Sequence, residues 1–253
     1  MRTLLILTAF AAGLQAQTTA RDNLNLGVKA FKNGDYAEAT NRFKAAVALD
    51  PDLPDAMLYL GTAYAQQFIP GSETPENRGF ANAAIEAFRN VLQASPKNLI
   101  ATQTLASLYY NLKDFPNAED WNHRVLAIEP GNVAALYTLG VIAWTCFIGP
   151  DREARQREQM KPEDPAPLID PAERAALKAQ FRQSLTDGIE SEHQALAIDP
   201  DYTNAMAYMN LLIRYRADLD DSKEQAQADI KEADGWVEKA LASQKKRAAQ
   251  AFK

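Results

Sequence analysis

Apolar residues along this chain recur three and four positions apart, in short blocks that repeat. Four stretches share one phrase: AEATNRFKAAVALDP (37–51), AIEAFRNVLQASP (84–96), AEDWNHRVLAIEP (118–130) and ESEHQALAIDP (190–200). The spacing predicts a helix with one apolar face. The acid or serine followed by proline then ends it, because proline biases the residue before it out of helical geometry. The closing prolines Pro51, Pro96, Pro130 and Pro200 stand 45, 34 and 70 residues apart, a period of 34 with 11 and 36 residues added to two of the intervals. A short helix repeated at a fixed period buries its apolar face only against neighbouring copies, so the pattern predicts a stack of helix pairs.

Residues ahead of each phrase supply the other helix of the pair. Leu26-Gly27 and Ala30 precede Gly34-Asp35-Tyr36, Ala39, Phe43, Ala46 and Pro51, and Leu60-Gly61 and Tyr64 precede Ala84, Phe88, Val91 and Pro96. Leu105-Ala106 and Tyr109 lead to Asp114-Phe115, Ala118, Val125 and Pro130, as Leu139-Gly140 and Ala143 lead to Ala195 and Pro200. Met209-Asn210, Ala233, Val237 and Ala240 make a degenerate fifth unit with no closing proline. In period and positions the sequence resembles the tetratricopeptide repeat family over roughly residues 20–245, without the tryptophan that opens the family's units. The resemblance implies an all-α, right-handed superhelical solenoid of about five helix hairpins, in a single domain of residues 17–253. The repeats would span about 20–53, 54–98, 99–132, 133–202 and 203–253. Gly27, Gly61, Gly140 and Ala39 fall where two backbones must approach, and Phe43 and Phe88 fill the space between them.

The units are not of equal length. From the leucine of the first helix to the small residue of the second the step is 13 in repeats one and three (Leu26 to Ala39, Leu105 to Ala118). It grows to 24 in repeats two and five (Leu60 to Ala84, Met209 to Ala233) and to 49 in repeat four (Leu139 to Gly188). Each expansion holds a helix-start signal, at Thr74-Pro75, Asp170-Pro171 and Asp221-Ser222 with Glu224 and Gln225 behind it. Lengthened second helices in repeats two, four and five are therefore predicted. The segment PDREARQREQMKPEDPAPLID (150–170), charged and punctuated by proline, reads as a mobile loop.

The opening residues MRTLLILTAFAAGLQAQ carry one cation, Arg2, and an apolar run from Leu4 to Leu14. This predicts a signal peptide of residues 1–16, cut after Ala16 or after Gly13, and hence an exported chain, periplasmic or otherwise extracytoplasmic. The run falls short of the ~20 residues that span a bilayer, so no stable membrane span is expected after cleavage. A net charge of -6 argues against nucleic acid as a partner, because sequence-independent binding depends on an excess of Lys and Arg. Cys146 is the one cysteine, which rules out an intramolecular disulfide.

No Walker loop, G-x-G-x-x-G, G-x-S-x-G or H-E-x-x-H is found in the chain. His123 and His193 share a repeat phase with Lys44, Arg89 and Glu238, which marks an exposed polar position rather than a pair of metal ligands. Cys146, among Trp144 to Ile148, reads as a small hydrophobe. The chain is thus expected to be non-enzymatic, without catalytic residues, metal or cofactor.

The resemblance further implies that first helices line a concave surface. The positions carried over include Gln103, Tyr110 and Asn111 in repeat three, Tyr137 and Trp144 in repeat four, and Tyr208 and Arg214 in repeat five. Phe31, Leu58 and Val141 fall at equivalent places but suit packing between helices equally well. Where relatives hold a peptide's terminal carboxylates with lysine, asparagine and arginine, this sequence has Leu24, Val28, Tyr59, Ile100 and Thr104. That clamp is absent. The expected function is a protein-interaction scaffold of the cell envelope, binding a partner segment through aromatic and amide side chains. The alternative is self-association through the lengthened helices and the 149–170 segment.

Overall fold

The computed structural model describes residues 19–161 and 164–251, and all regular structure among them is helical. The expected signal peptide lies outside the described residues. The chain divides into two compact units, one up to Trp121 and one from Asn122. The first holds α1 (residues 19–32), α2 (Tyr36–Leu49), α3 (Ala56–Gln67), α4 (Pro75–Ala94), α5 (Leu99–Asn111) and the start of α6 (Phe115–Ile128). The second holds the rest of α6, then α7 (Val133–Arg157), α8 (Pro171–Ile198), α9 (Thr203–Asp218) and α10 (Lys223–Ala251). Within each unit consecutive helices pack as the stacked hairpins of a tetratricopeptide solenoid.

Helix boundaries follow local chemistry. After the closing prolines, Asn98 and Asn132 accept hydrogen bonds from Ala101 N (3.0 Å) and Ala135 N (2.9 Å), capping the next first helix. Second helices start on Asp35, Thr74, Asp170 and Ser222, each accepting from a first-turn N–H. In the short hairpins the turn between helices is left-handed at Gly34 (φ 79) and at Lys113 (φ 59), which occupies the same repeat phase.

In the first unit, a Cβ on Gly27 would stand 2.5 Å from the Phe43 ring, and one on Gly61 3.1 Å from that of Phe88. Both phenylalanines are fully buried. The added residues of repeat two are closed by one side chain: buried Asn77 donates to the carbonyls of Ile69 (2.9 Å) and Ser72 (2.8 Å) and accepts from Ile69 N (2.7 Å).

In the second unit the lengthened helices α8 and α10 begin where the sequence predicts. The segment between α7 and α8 does not behave as expected. Pro150 fails to end the first helix, which runs on to Arg157. Proline removes one backbone hydrogen bond, but Phe147, Asp151 and Ala154 continue a buried stripe at helical spacing, so packing outweighs the loss. Beyond Arg157 the described residues are tied down rather than mobile. Leu168 is fully buried in the core, and its N–H donates to Asp218 O (3.1 Å). Glu158 accepts from Ile169 N (2.6 Å) and Asp170 N (3.0 Å), while Arg155 donates to Lys161 O (3.2 Å) and Asp164 O (3.3 Å). Alone among the described helices, α7 is long and apolar enough to cross a bilayer. Its residues Leu136, Ile142 and Phe147 are buried, which accounts for that apolarity as core.

Two residues of the basic run Lys245 to Arg247 have partners. Lys246 pairs with Asp201 (2.9 Å) and Arg247 donates to Thr203 Oγ1 (2.6 Å), fastening α10 to the start of α9.

Leu168→Ala is expected to cost about 2–5 kcal/mol in urea denaturation followed by circular dichroism. Its exposed neighbour gives the control: Ile169→Ala should stay within about 0.5 kcal/mol. Equal effects would show that the segment is not docked.

Candidate protein-binding surface

The sequence-predicted residues separate by unit. In the first, Gln103, Tyr110 and Asn111 stand half-buried on α5. Tyr110 meets Phe115 edge-on, with ring centroids 6.0 Å apart. Asn111 Nδ2 lies 3.4 Å from Ser107 Oγ.

In the second unit, α7 and α9 bring Tyr137, Trp144 and Tyr208 together. Tyr208 is set edge-to-face against Tyr137 (5.3 Å, 82°) and Trp144 (5.7 Å, 84°). Tyr202, in the turn before α9, extends the row by a further edge contact to Tyr137 (5.4 Å). Such pairs contribute about 0.5–1.5 kcal/mol each beyond their buried area and hold the rings in fixed orientations. Burial, then Tyr208, Tyr202 and Glu192, raise the Tyr137 pKa, so its hydroxyl stays neutral. Arg214 is committed: Nε donates to Asn210 (2.8 Å) and the guanidinium pairs with Asp234 of α10. Val141 is buried, as the packing alternative requires. His193 is exposed and faces Trp236 (5.6 Å), and Cys146 is half-buried. No group of three or more His, Cys, Asp or Glu among the described residues could hold a metal ion.

Sequence reasoning missed Tyr202 and, beneath the row, Glu192. The second has a readable signal. Glu192 stands eight residues before Pro200, as Phe43 and Phe88 stand eight before Pro51 and Pro96. A carboxyl group therefore occupies the place of a phenyl ring, against Gly140, where a Cβ would collide with it. Glu192 is fully buried and neither oxygen has a hydrogen-bond partner. Burial pushes its pKa up to about 9. It is neutral at pH 7, close enough for its ionisation to act on Tyr137 and Tyr202.

Comparison with known proteins identifies the repeats. The chain matches models described as TPR repeat, over residues 29–67, and tetratricopeptide repeat, over residues 79–140. The chain carries tetratricopeptide repeats. No curated protein sequence matches it. Among solved structures, a crystal structure of MamA protein shares 19% identity at TM-score 0.60, covering 91% of this chain and 94% of the other. MamA 41-end from Desulfovibrio magneticus RS-1 shares 18% at TM-score 0.59, covering 90% and 96%. YrrB, described as a TPR protein with an unusual peptide-binding site, shares 13% at TM-score 0.54, covering 88% and 90%. At these identities the likeness concerns the fold. Tetratricopeptide repeats are in general non-enzymatic modules for binding proteins, and the repeats here support an interaction scaffold.

Glu192 makes stability depend on pH in a defined direction. Its folded pKa of about 9 lies above the unfolded ~4.3, so the native state holds a proton that the unfolded chain has lost between those values. Its contribution is complete below pH ~4.3 and declines by about 1.4 kcal/mol per unit as pH rises toward 9. Glu192→Gln should match the wild type near pH 4 and exceed it at pH 8, in denaturant titrations across that range. A variant with the wild-type slope would place the charge elsewhere.

Proposed function

We propose that this protein is an exported interaction scaffold of the cell envelope that holds a segment of a partner protein against the aromatic row on α7 and α9. One observation carries the reading: Tyr137, Tyr208 and Trp144 lock one another edge-to-face while remaining half-buried rather than fully enclosed. Pre-oriented aromatic rings with part of their surface open are the usual anchors of protein interfaces. Tyrosine adds a hydroxyl that bonds to peptide backbone. Gln103, Tyr110 and Asn111 on α5 would supply amide and aromatic contacts of the first unit's own.

The test begins with a photo-crosslinking residue in place of Tyr208 in the native host, which captures the partner for affinity measurement. Tyr137→Ala with Trp144→Ala should then weaken that partner at least about tenfold, with helical content unchanged. Undiminished affinity would return the row to a packing role. For export, the mature chain should begin at Gln17 or Leu14 by intact mass, and recovery of protein still starting at Met1 would contradict a cleaved signal peptide.

A further inference from the structure

The second unit contains a cavity of about 940 Å³ between α7, α9 and α10, bordered by Met160, Asp164 and Pro165. Its volume lies in the range of small-ligand sites. Two of its walls come from added residues: the turns of α7 beyond Pro150 and the first turns of α10. Apolar surface is supplied by Met160, Leu211, Tyr215 and Ile230.

On the wall of this cavity Asp151 and Asp218 are 1% and 3% exposed. Arg155 is spent on Asp218, with Nη2 at 2.5 Å from Oδ1 and Nε at 3.0 Å from Oδ2. Its nearest approach to Asp151 is 3.7 Å, and Asp151 Oδ1 receives no hydrogen bond. Two buried carboxyl groups and one guanidinium fall one positive charge short. A proton makes up the deficit: burial first, then the Asp218 carboxylate, raise the Asp151 pKa against the pull of Arg155 and Arg152. From α9, Tyr215 and Asp218 face this group, and Glu158 acts on Asp218. Across the cavity Asp234 is held by Arg214, while Arg152 and Lys231 stand exposed at the rim.

We propose that this cavity binds an alkylammonium group, on a lysine side chain or a free aliphatic amine, with the cation at the Asp151 carboxyl group and its carbon stem along Leu211, Tyr215 and Ile230. The ammonium takes the place of the proton, so the charge of the buried cluster is conserved as ligand enters and a proton leaves. An anion would meet the carboxyl pair at the wall, and the rim cations Arg152 and Lys231 are already solvated. A divalent metal is poorly served, because Arg155 occupies both oxygens of Asp218. Tyr137, Trp144 and Tyr208 do not line the cavity, and Trp144 reaches it only through Tyr215.

Isothermal titration of the full chain with n-hexylammonium, n-hexanol and the capped peptide Leu-Ala-Lys-Ala-Leu tests this at pH 6, 7 and 8. Buffers of different ionisation enthalpy count the protons released. Hexylammonium affinity should rise by up to about tenfold per pH unit, with close to one proton released per ligand bound. Hexanol should show neither effect. Asp151→Asn should abolish the proton release and the pH dependence, and Leu211→Trp, which fills the cavity without touching charge, should block binding. Peptide affinity about tenfold or more above that of hexylammonium assigns the site to a partner's lysine, and equal or weaker affinity assigns it to a free amine. Tyr137→Ala alone, which spares the Trp144 neighbour of Tyr215, should leave hexylammonium binding intact, whatever becomes of the protein partner. Hexanol matching hexylammonium, proton release persisting in Asp151→Asn, or absence of heat from both cationic probes with the fold intact would overturn the proposal.

Discussion

At Gly27, Gly61 and Gly140 a first helix comes so close to the second helix of its own pair that a methyl group would press into the side chain opposite. This contact fixes the geometry of each hairpin and, through it, the surface that the next hairpin meets. Hydrogen at that position lets one large side chain lie across the helix and fill the interface to the density of a protein interior. In the first unit the side chain is Phe43 or Phe88. In the second unit, opposite Gly140, it is Glu192, which preserves the close approach but replaces an aromatic ring by an acid.

The exchange alters the surface above it. A phenyl ring under α7 would be inert, whereas a carboxyl group with no hydrogen-bond partner must stay protonated to remain buried. Its neighbours Tyr137 and Tyr202 are neutral as well, and burial raises their pKa values further. The aromatic row therefore rests on an uncharged base across the neutral range. That suits recognition by ring faces and hydroxyl groups better than recognition by charge.

How much of the fold and the surface is legible in the sequence depends on what kind of signal carries it. The period, the pairing of helices and the starts of α4, α8 and α10 can be read because they rest on local chemistry: capping side chains, proline positions and apolar spacing. Tyr137, Trp144 and Tyr208 come together because the repeat phase fixes which helix face they occupy. The segment after Gly149 defeats a local reading, because proline dominates it while Phe147, Asp151 and Ala154 act only through tertiary packing. Glu192 escapes notice although its phase points to it, since an acid at a phenylalanine position looks like surface until the glycine opposite is considered. Tyr202 is hidden by its place in a turn, outside the helical register.

Among the described residues, the buried polar atoms of Asp151, Arg182, Glu192 and Asp220 that lack a hydrogen-bond partner all belong to the second unit. Each costs stability that an apolar residue of similar size would not, and the phenylalanines of the first unit show that this fold accepts the apolar solution. Such departures are expected where a protein binds something, because a rule of packing is broken there for a reason other than stability. Apart from Glu192, which keeps the regular repeat phase, they coincide with the added residues: Asp151 lies on the α7 extension, and Asp220 lies just ahead of α10 and pairs with Arg182 of the lengthened α8 (3.7 Å). Arg214 lines the cavity and lies on α9 with Tyr208 of the aromatic row. One helix, α9, thus carries Tyr208 of the aromatic row and, toward its carboxyl-terminal end, the Arg214, Tyr215 and Asp218 of the cavity wall.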